Sequence, residues 1–267
     1  MRLIVVRVDA TAAHGDNRFA LPLASMNGEE QELAAAAVQA ARATFAQFGD
    51  KPDSAFYAAP GLTAKETWER VVEELARVCV VAALDGTRDV PLGVDDLELI
   101  HRGIFEPVFG SSVAGFRSSD EFVDFPIYVG TRARPELRTR HGASPKQIQK
   151  RLRHALRNFD GGLTALARQA AAQRAELRDA VEIAVKLYVR IIRIHPFMDG
   201  NGRVAWAAFG YALRRCNLPL VEISPTLDTR WALGTALRRD ADQDYGPLVD
   251  IVTSTLRTSG DSQFRAG

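Results

Sequence analysis

The sequence predicts a mainly α-helical protein with one short β-hairpin. Three observations carry this. Leu177, Val181, Ala184, Tyr188 and Ile191 recur at helical spacing within residues 175–194. Residues 29–48 are Ala-rich and contain no breaker. Only residues 122–129 show apolar alternation among aromatics, Pro and Gly, which is the pattern of an extended segment or hairpin.

Taken in order, residues 2–8 read as a short strand. Residues 29–48 form a helix that Ser25 or Asn27 could cap. Pro52 and Pro60 mark a loop over 49–61. Trp68, Val71, Val72, Leu75, Val78 and Cys79 predict a helix over 63–84, closed by Asp85-Gly86. Another helix is expected over 94–105. Residues 110–130 hold the hairpin. Helices over 145–156 and 163–173 are expected to flank a break at Gly161-Gly162. The helix over 175–194 leads to a glycine-rich turn, and a second helix, 203–216, leaves it before Asn217-Leu218-Pro219. Helices near 229–240 and 245–257 follow, and the polar tail from Ser259 is expected to fray. The domain reading is an N-terminal region over 1–94, a core over 95–257 and a tail over 258–267.

The chain has 267 residues, 46% of them apolar, enough for an ordinary core. Thirty-four basic residues face 33 acidic ones, a net charge of +1, so neither nucleic acid nor a membrane surface is expected as a partner. The excess of Arg over Lys reads as genomic base composition. Cys79 and Cys216 are the only cysteines; both lie in apolar helical contexts and read as buried free thiols. No His pair has metal-ligand spacing. The apolar start is too short for a signal peptide and is cut by Arg7, and no run reaches transmembrane length, so a cytoplasmic protein is expected. Some secreted effectors lack such a signal too.

The chemistry concentrates in His195-Pro196-Phe197-Met198-Asp199-Gly200-Asn201-Gly202-Arg203. Pro196 cannot continue the incoming helix. Gly200 and Gly202 permit a turn whose successive N–H groups form a concave anion nest. The outgoing helix adds its N-terminal dipole. Arg203 can grip a phosphate with a forked guanidinium. Asp199 is a hard oxygen ligand suited to Mg²⁺ shared with phosphates. His195 can take a proton from a hydroxyl. Phe197 reads as a core plug that holds the loop. Each residue alone has a bland reading as a cap or turn; together they supply base, metal ligand and anion cradle.

This run resembles the motif of the Fic family, His-x-Phe-x-Asp/Glu-Gly-Asn-Gly-Arg-x-x-Arg. Further segments agree: Leu99-Ile100-His101-Arg102-Gly103-Ile104-Phe105 with Ala114-Gly115-Phe116-Arg117 looks like the family's first core helix and flap entry. Residues 120–129 are similar to the flap hairpin that pins target peptides by strand addition, with Phe125, Pro126 and Ile127 as flap residues. Asp244-Tyr245-Gly246-Pro247-Leu248 resembles the closing helix. The resemblance covers roughly residues 95–257 and implies a Fic-fold helical bundle that transfers AMP from ATP to a Ser, Thr or Tyr hydroxyl of a target protein. It implies His195 as base, Asp199 as Mg²⁺ ligand, Gly200, Asn201 and Gly202 on the α- and β-phosphates, and Arg203 on the β-phosphate. Such a nucleotidyltransferase would be a bacterial toxin, effector or housekeeping modifier, with an antitoxin or a second copy of itself as further partners.

Two departures stand out. The motif's last arginine falls on Trp206, which has no positive charge and could stack on a base or fill the core. That leaves UMP or GMP, phosphocholine or phosphate transfer as alternatives to AMP, beside a catalytically silent binding protein. Arg193, Arg214 or Arg215 are candidates to replace the missing charge. The family's inhibitory Ser/Thr-x-x-x-Glu-Gly/Asn helix has only a partial match at Ser25-Met26-Asn27-Gly28-Glu29-Glu30, where Ser25 equally reads as a cap.

Overall fold

A computed structural model describes residues 19, 28–49, 59–110, 115–118, 127–129, 139–172, 176–221, 223, 226–237 and 243–264. Among these are eight α-helices, a 3-10 turn and two short strands: α1 (Gly28–Gly49), α2 (Ala64–Thr87), α3 (Val94–Phe109), β1 (Ile127–Val129), β2 (Thr139–His141), the 3-10 turn (Pro145–Gln147), α4 (Ile148–Ala171), α5 (Leu177–Ile194), α6 (Asn201–Arg215), α7 (Leu227–Ala236) and α8 (Gly246–Phe264). The architecture is mainly helical, as the sequence predicts. The expected strand over 2–8 and the Ser25–Asn27 stretch lie outside the described residues, as do the side chains of Glu29 and Glu30.

Local chemistry accounts for the helix starts. Thr63 caps α2: its hydroxyl accepts from the Glu66 N–H at 3.2 Å, and Glu66 returns the bond to the Thr63 N–H at 2.8 Å. Asp96 and Asp179 accept the N–H groups of Gly93 and Glu176 at the starts of α3 and α5.

The centre of the core is the pair α5 and α6. Val181, Ala184, Val185, Tyr188 and Ile191 bury one side of α5, while residues 204–213 of α6 are buried throughout. A helix apolar all round must be enclosed. On α6 lies α2, with α1 outside it; on α5 lie α4 and α8, and α7 rests on α8. Arg178 of α5 reaches Asp250 of α8 at 3.1 Å. Cys79 is buried in this core and Cys216 is partly covered, both as free thiols. Burial pushes their pKa values up to about 12 and about 11, which makes them poor nucleophiles.

Three elements differ from the sequence reading. Helix α4 runs unbroken through Gly161-Gly162. Each mid-helix glycine costs about 1 kcal/mol of propensity, but a Cβ on Gly162 would come within 3.2 Å of Ile183 on α5, so the bare backbone permits close packing that outweighs the break. Helix α8 continues past Ser259 to Phe264. The strand pair lies later than expected: β1 pairs antiparallel with β2, Ile127 opposite His141 and Val129 opposite Thr139, so the return strand falls beyond residue 129. Phe125 and Pro126 lie outside the described residues.

Candidate functional site

The motif occupies the crossing from α5 to α6. His195 ends α5 in the left-handed conformation, φ 53° and ψ 61°, and its N–H still donates to the Ile191 carbonyl at 3.0 Å. Pro196 then turns the chain. A non-glycine residue held there stores about 1–3 kcal/mol and persists only where surroundings over-determine it.

Arg117 supplies that determination. Its backbone N–H donates to the Pro196 carbonyl at 2.9 Å, its Nε to the His195 carbonyl at 2.7 Å, and one Nη to the Ala143 carbonyl at 2.8 Å. The side chain is buried, with 4% exposure. The same guanidinium therefore joins the flap entry, the segment after β2 and the motif. Two backbone bonds reinforce the join: Gly142 N–H to Arg193 O at 3.1 Å, and Ala143 N–H to Ile194 O at 2.9 Å.

The loop is fixed from inside. Phe197 is fully buried, and His101 stacks on it at 4.1 Å between ring centres, with Phe116 at 5.2 Å. His101 Nε2 lies 3.1 Å from the Asp199 carbonyl. A carbonyl only accepts, so Nε2 carries the proton. Asn201 closes the turn: its amide donates to the Phe197 carbonyl and its oxygen accepts the Phe197 N–H, each at 2.9 Å. Its side chain thus braces the loop, and its backbone N–H is the group left to meet an anion.

The glycines divide the work. Gly200 has φ +81°, and a Cβ there would lie 2.3 Å from the Phe105 ring. Gly202 faces open space, with nothing within 4 Å of its Cβ position. Gly200 O accepts the N–H groups of Arg203 and Val204. The earlier N–H groups of the first turn, those of Asn201 and Gly202, have no intrahelical acceptor and suit an anion. The Arg203 guanidinium lies over the Phe105 ring at 5.4 Å and 3.7 Å from Asp199 Oδ2. Asp199 is half exposed at the rim. No group of three or more His, Cys, Asp or Glu able to hold a metal occurs among the described residues. A half-exposed carboxylate beside an anion nest suits Mg²⁺, which takes few protein ligands and completes its shell from phosphate and water.

Burial lowers the His195 pKa to about 4; the Arg117 charge adds to this, while the Ile192 carbonyl and Asp199 oppose it. The imidazole is neutral at pH 7. Nδ1 is buried, which leaves Nε2 as the ring nitrogen able to meet a substrate. Burial likewise lowers His101 to about 4.

Trp206 points into the core with 2% exposure, which removes base stacking as its role. Arg214 and Arg215 sit at the far end of α6, where Arg214 Nε donates to Thr87 at 3.1 Å and Arg215 pairs with Asp89, so neither stands in for the motif's last arginine. The sequence reading assigned no role to Arg117, His101 or Phe105. The segments holding them were singled out, but their partners lie 78 and 98 residues away for Arg117 and His101, a distance no local pattern spans.

Residues 91–213 match the Fic/DOC family, against the 95–257 expected from resemblance. A uridine 5'-monophosphate transferase of Xanthomonas campestris pv. campestris (strain 8004) is 46% identical over 50 residues, 18% of this chain and only 9% of that relative's length. A crystal structure of a Fic domain containing signaling protein from Bacteroides thetaiotaomicron VPI-5482 has the same fold, with a TM-score of 0.57, 17% identity and 88% of each chain covered. No described helix is long and apolar enough to cross a membrane. Residues 91–213 thus match the Fic/DOC family, and the chain shares the fold of a Fic domain containing protein.

Proposed function

We propose that this Fic/DOC domain transfers a nucleoside monophosphate from a nucleoside triphosphate to a Ser, Thr or Tyr hydroxyl of a target protein. The observation that carries the reading is a neutral His195 with Nδ1 buried, five residues ahead of the α6 N-terminus, where Gly200 takes a positive φ and Gly202 faces open space. The hydroxyl oxygen attacks the α-phosphorus, the α–β P–O bond breaks, pyrophosphate leaves and the hydroxyl proton passes to His195 Nε2. Negative phosphates brought near His195 raise its proton affinity from the low ligand-free value, toward what a general base needs. Arg203 neutralises charge on the donor's phosphates. Mg²⁺, held through Asp199 and the donor, would supply Lewis-acid charge neutralisation. The β1–β2 pair is the candidate flap, its rim the place for a target strand.

AMP from ATP is the first reading of the donor. UMP from UTP is the second, favoured by the name of the Xanthomonas relative. With Trp206 buried in place of the motif's last arginine, Arg203 is the motif cation left to meet phosphate. The test is incubation of the full chain with Mg²⁺ and each α-labelled nucleotide, wild type against His195→Ala. Label on protein that depends on His195 supports the reading and names the donor. Label that persists in the variant refutes His195 as base.

A further inference from the structure

We propose that the exposed face of α4 docks an acidic segment of the polypeptide that bears the acceptor hydroxyl. The inference rests on the transferase reading, because it names the chemistry of that reaction's protein substrate.

Residues 146–159 carry Lys146, Lys150, Arg151, Arg153 and Arg157, plus His154, and no acidic residue, in a chain whose charges balance as a whole. All six side chains are exposed, while Ile148, Leu152, Ala155, Leu156 and Phe159 bury the opposite side. Lys150, Arg153 and Arg157 follow one another on α4 at spacings of three and four, so they form one stripe, and Lys146 sits in the 3-10 turn that leads into it. At 1.5 Å per residue the part on α4 is roughly 10 Å long.

This arrangement works against the helix. Like charges four apart repel, and cations at a helix N-terminus oppose its dipole. Like α6 and α8, α4 carries no acid in its first turn, whereas α2, α3, α5 and α7 do. Nor are the charges neutralised. Arg151 and Arg153 donate to the neutral amides of Gln147 and Gln149 at 2.9 Å each, and Arg157 to the Arg153 carbonyl at 3.4 Å. No ion pair reaches any of the five among the described residues. Several exposed cations elsewhere meet acids: Arg178 with Asp250 and Glu182, Lys186 with Glu182, Arg102 with Glu98, Lys65 with Glu69. What sets this face apart is five cations gathered along one side with no acid among them.

Position makes the partner a substrate. Lys146, which leads into the stripe, lies three residues after Ala143, whose N–H bonds Ile194, the residue before His195. A chain lying along α4 therefore starts beside the reacting site. A polypeptide fits better than nucleic acid: no exposed Phe, Tyr or Trp on this face offers a base a stacking platform, and the chain as a whole is not basic.

The experiment uses the full chain carrying His195→Ala, without nucleotide, and fluorescence anisotropy with a short Glu/Asp-rich peptide containing one Ser. Its Gln/Asn counterpart, a DNA duplex and phosphatidylserine vesicles are the other probes. The acidic peptide is expected to bind about tenfold tighter than the neutral one at low salt, with the difference vanishing as salt rises. K146E/K150E/R153E/R157E should abolish that preference, and the milder K146Q/K150Q/R153Q/R157Q should do so with helix content unchanged by circular dichroism. Equal affinity for the two peptides, no effect of either variant, or tighter binding to DNA or vesicles than to the acidic peptide overturns the proposal. Because binding is read without turnover, lost charge preference beside intact wild-type transfer sinks the docking face alone. Intact preference with no transfer from any nucleotide sinks the transferase reading alone.

Discussion

Replacing Arg117 by methionine removes two hydrogen bonds from buried carbonyls, those of His195 and Ala143. Bonds from a charged donor contribute about 2 kcal/mol each, so the loss should be about 4 kcal/mol of stability. Methionine roughly fills the volume of the side-chain stem, so little of this comes from a cavity. The left-handed His195 backbone then loses what holds it against strain of about 1–3 kcal/mol. Arg117→Lys keeps the charge but offers a point donor in place of a fork; it should lose about half as much, ~2 kcal/mol, by satisfying one carbonyl. The two variants must also differ in His195 titration. Burial is the larger reason for its pKa of about 4 and the Arg117 charge the next. In Arg117→Met the pKa should rise part of the way to 6.5; in Arg117→Lys it should stay near 4. Urea unfolding reads the first effect, and imidazole chemical shifts followed by NMR against pH read the second. An unchanged pKa in Arg117→Met refutes the charge argument. A rise all the way to 6.5 refutes the primacy of burial, and a stability change below about 1 kcal/mol refutes the bonding argument.

Two further substitutions separate support from chemistry. Gly200→Ala places a methyl group into the Phe105 ring at a positive φ; overpacking and strain together predict a loss of about 3 kcal/mol in urea unfolding. Gly202→Ala meets nothing within 4 Å, so stability should hold within about 1 kcal/mol while nucleotide affinity, read by calorimetry, falls as the methyl enters the phosphate path. Trp206→Arg restores the family's motif letter for letter, yet the position is buried. It should lower stability by about 3–5 kcal/mol through a buried unpaired charge, read as a fall in Tm, and gain no nucleotide affinity; a stable variant with tighter binding would refute the core role of Trp206.

What the chain announces locally came through in the structure. Pro196 stops α5, the glycines make the turn, and the apolar stripe on residues 177–191 faces the core. Each depends on residues within a turn or two, where φ/ψ limits and side-chain period decide. The same logic failed at Gly161-Gly162, because a breaker's local penalty was smaller than the packing of Gly162 on Ile183. It also left the strand pair misplaced, since the partner of Ile127 is His141, chosen by pairing across a connection that no alternation near residue 127 records.

By itself, then, the sequence determined the motif, the two helices that flank it and the residue types proposed as base, metal ligand and anion nest. Tertiary structure alone decided where their side chains lie. It turned Asn201 inward as a loop brace and put Trp206 in the core. It also brought Arg117 and His101 to backbone carbonyls 78 and 98 residues away, and left the basic stripe of α4 uncovered. The physical reason is range: conformational preference acts between near neighbours, whereas burial and charge pairing depend on which distant segments the folded core sets side by side.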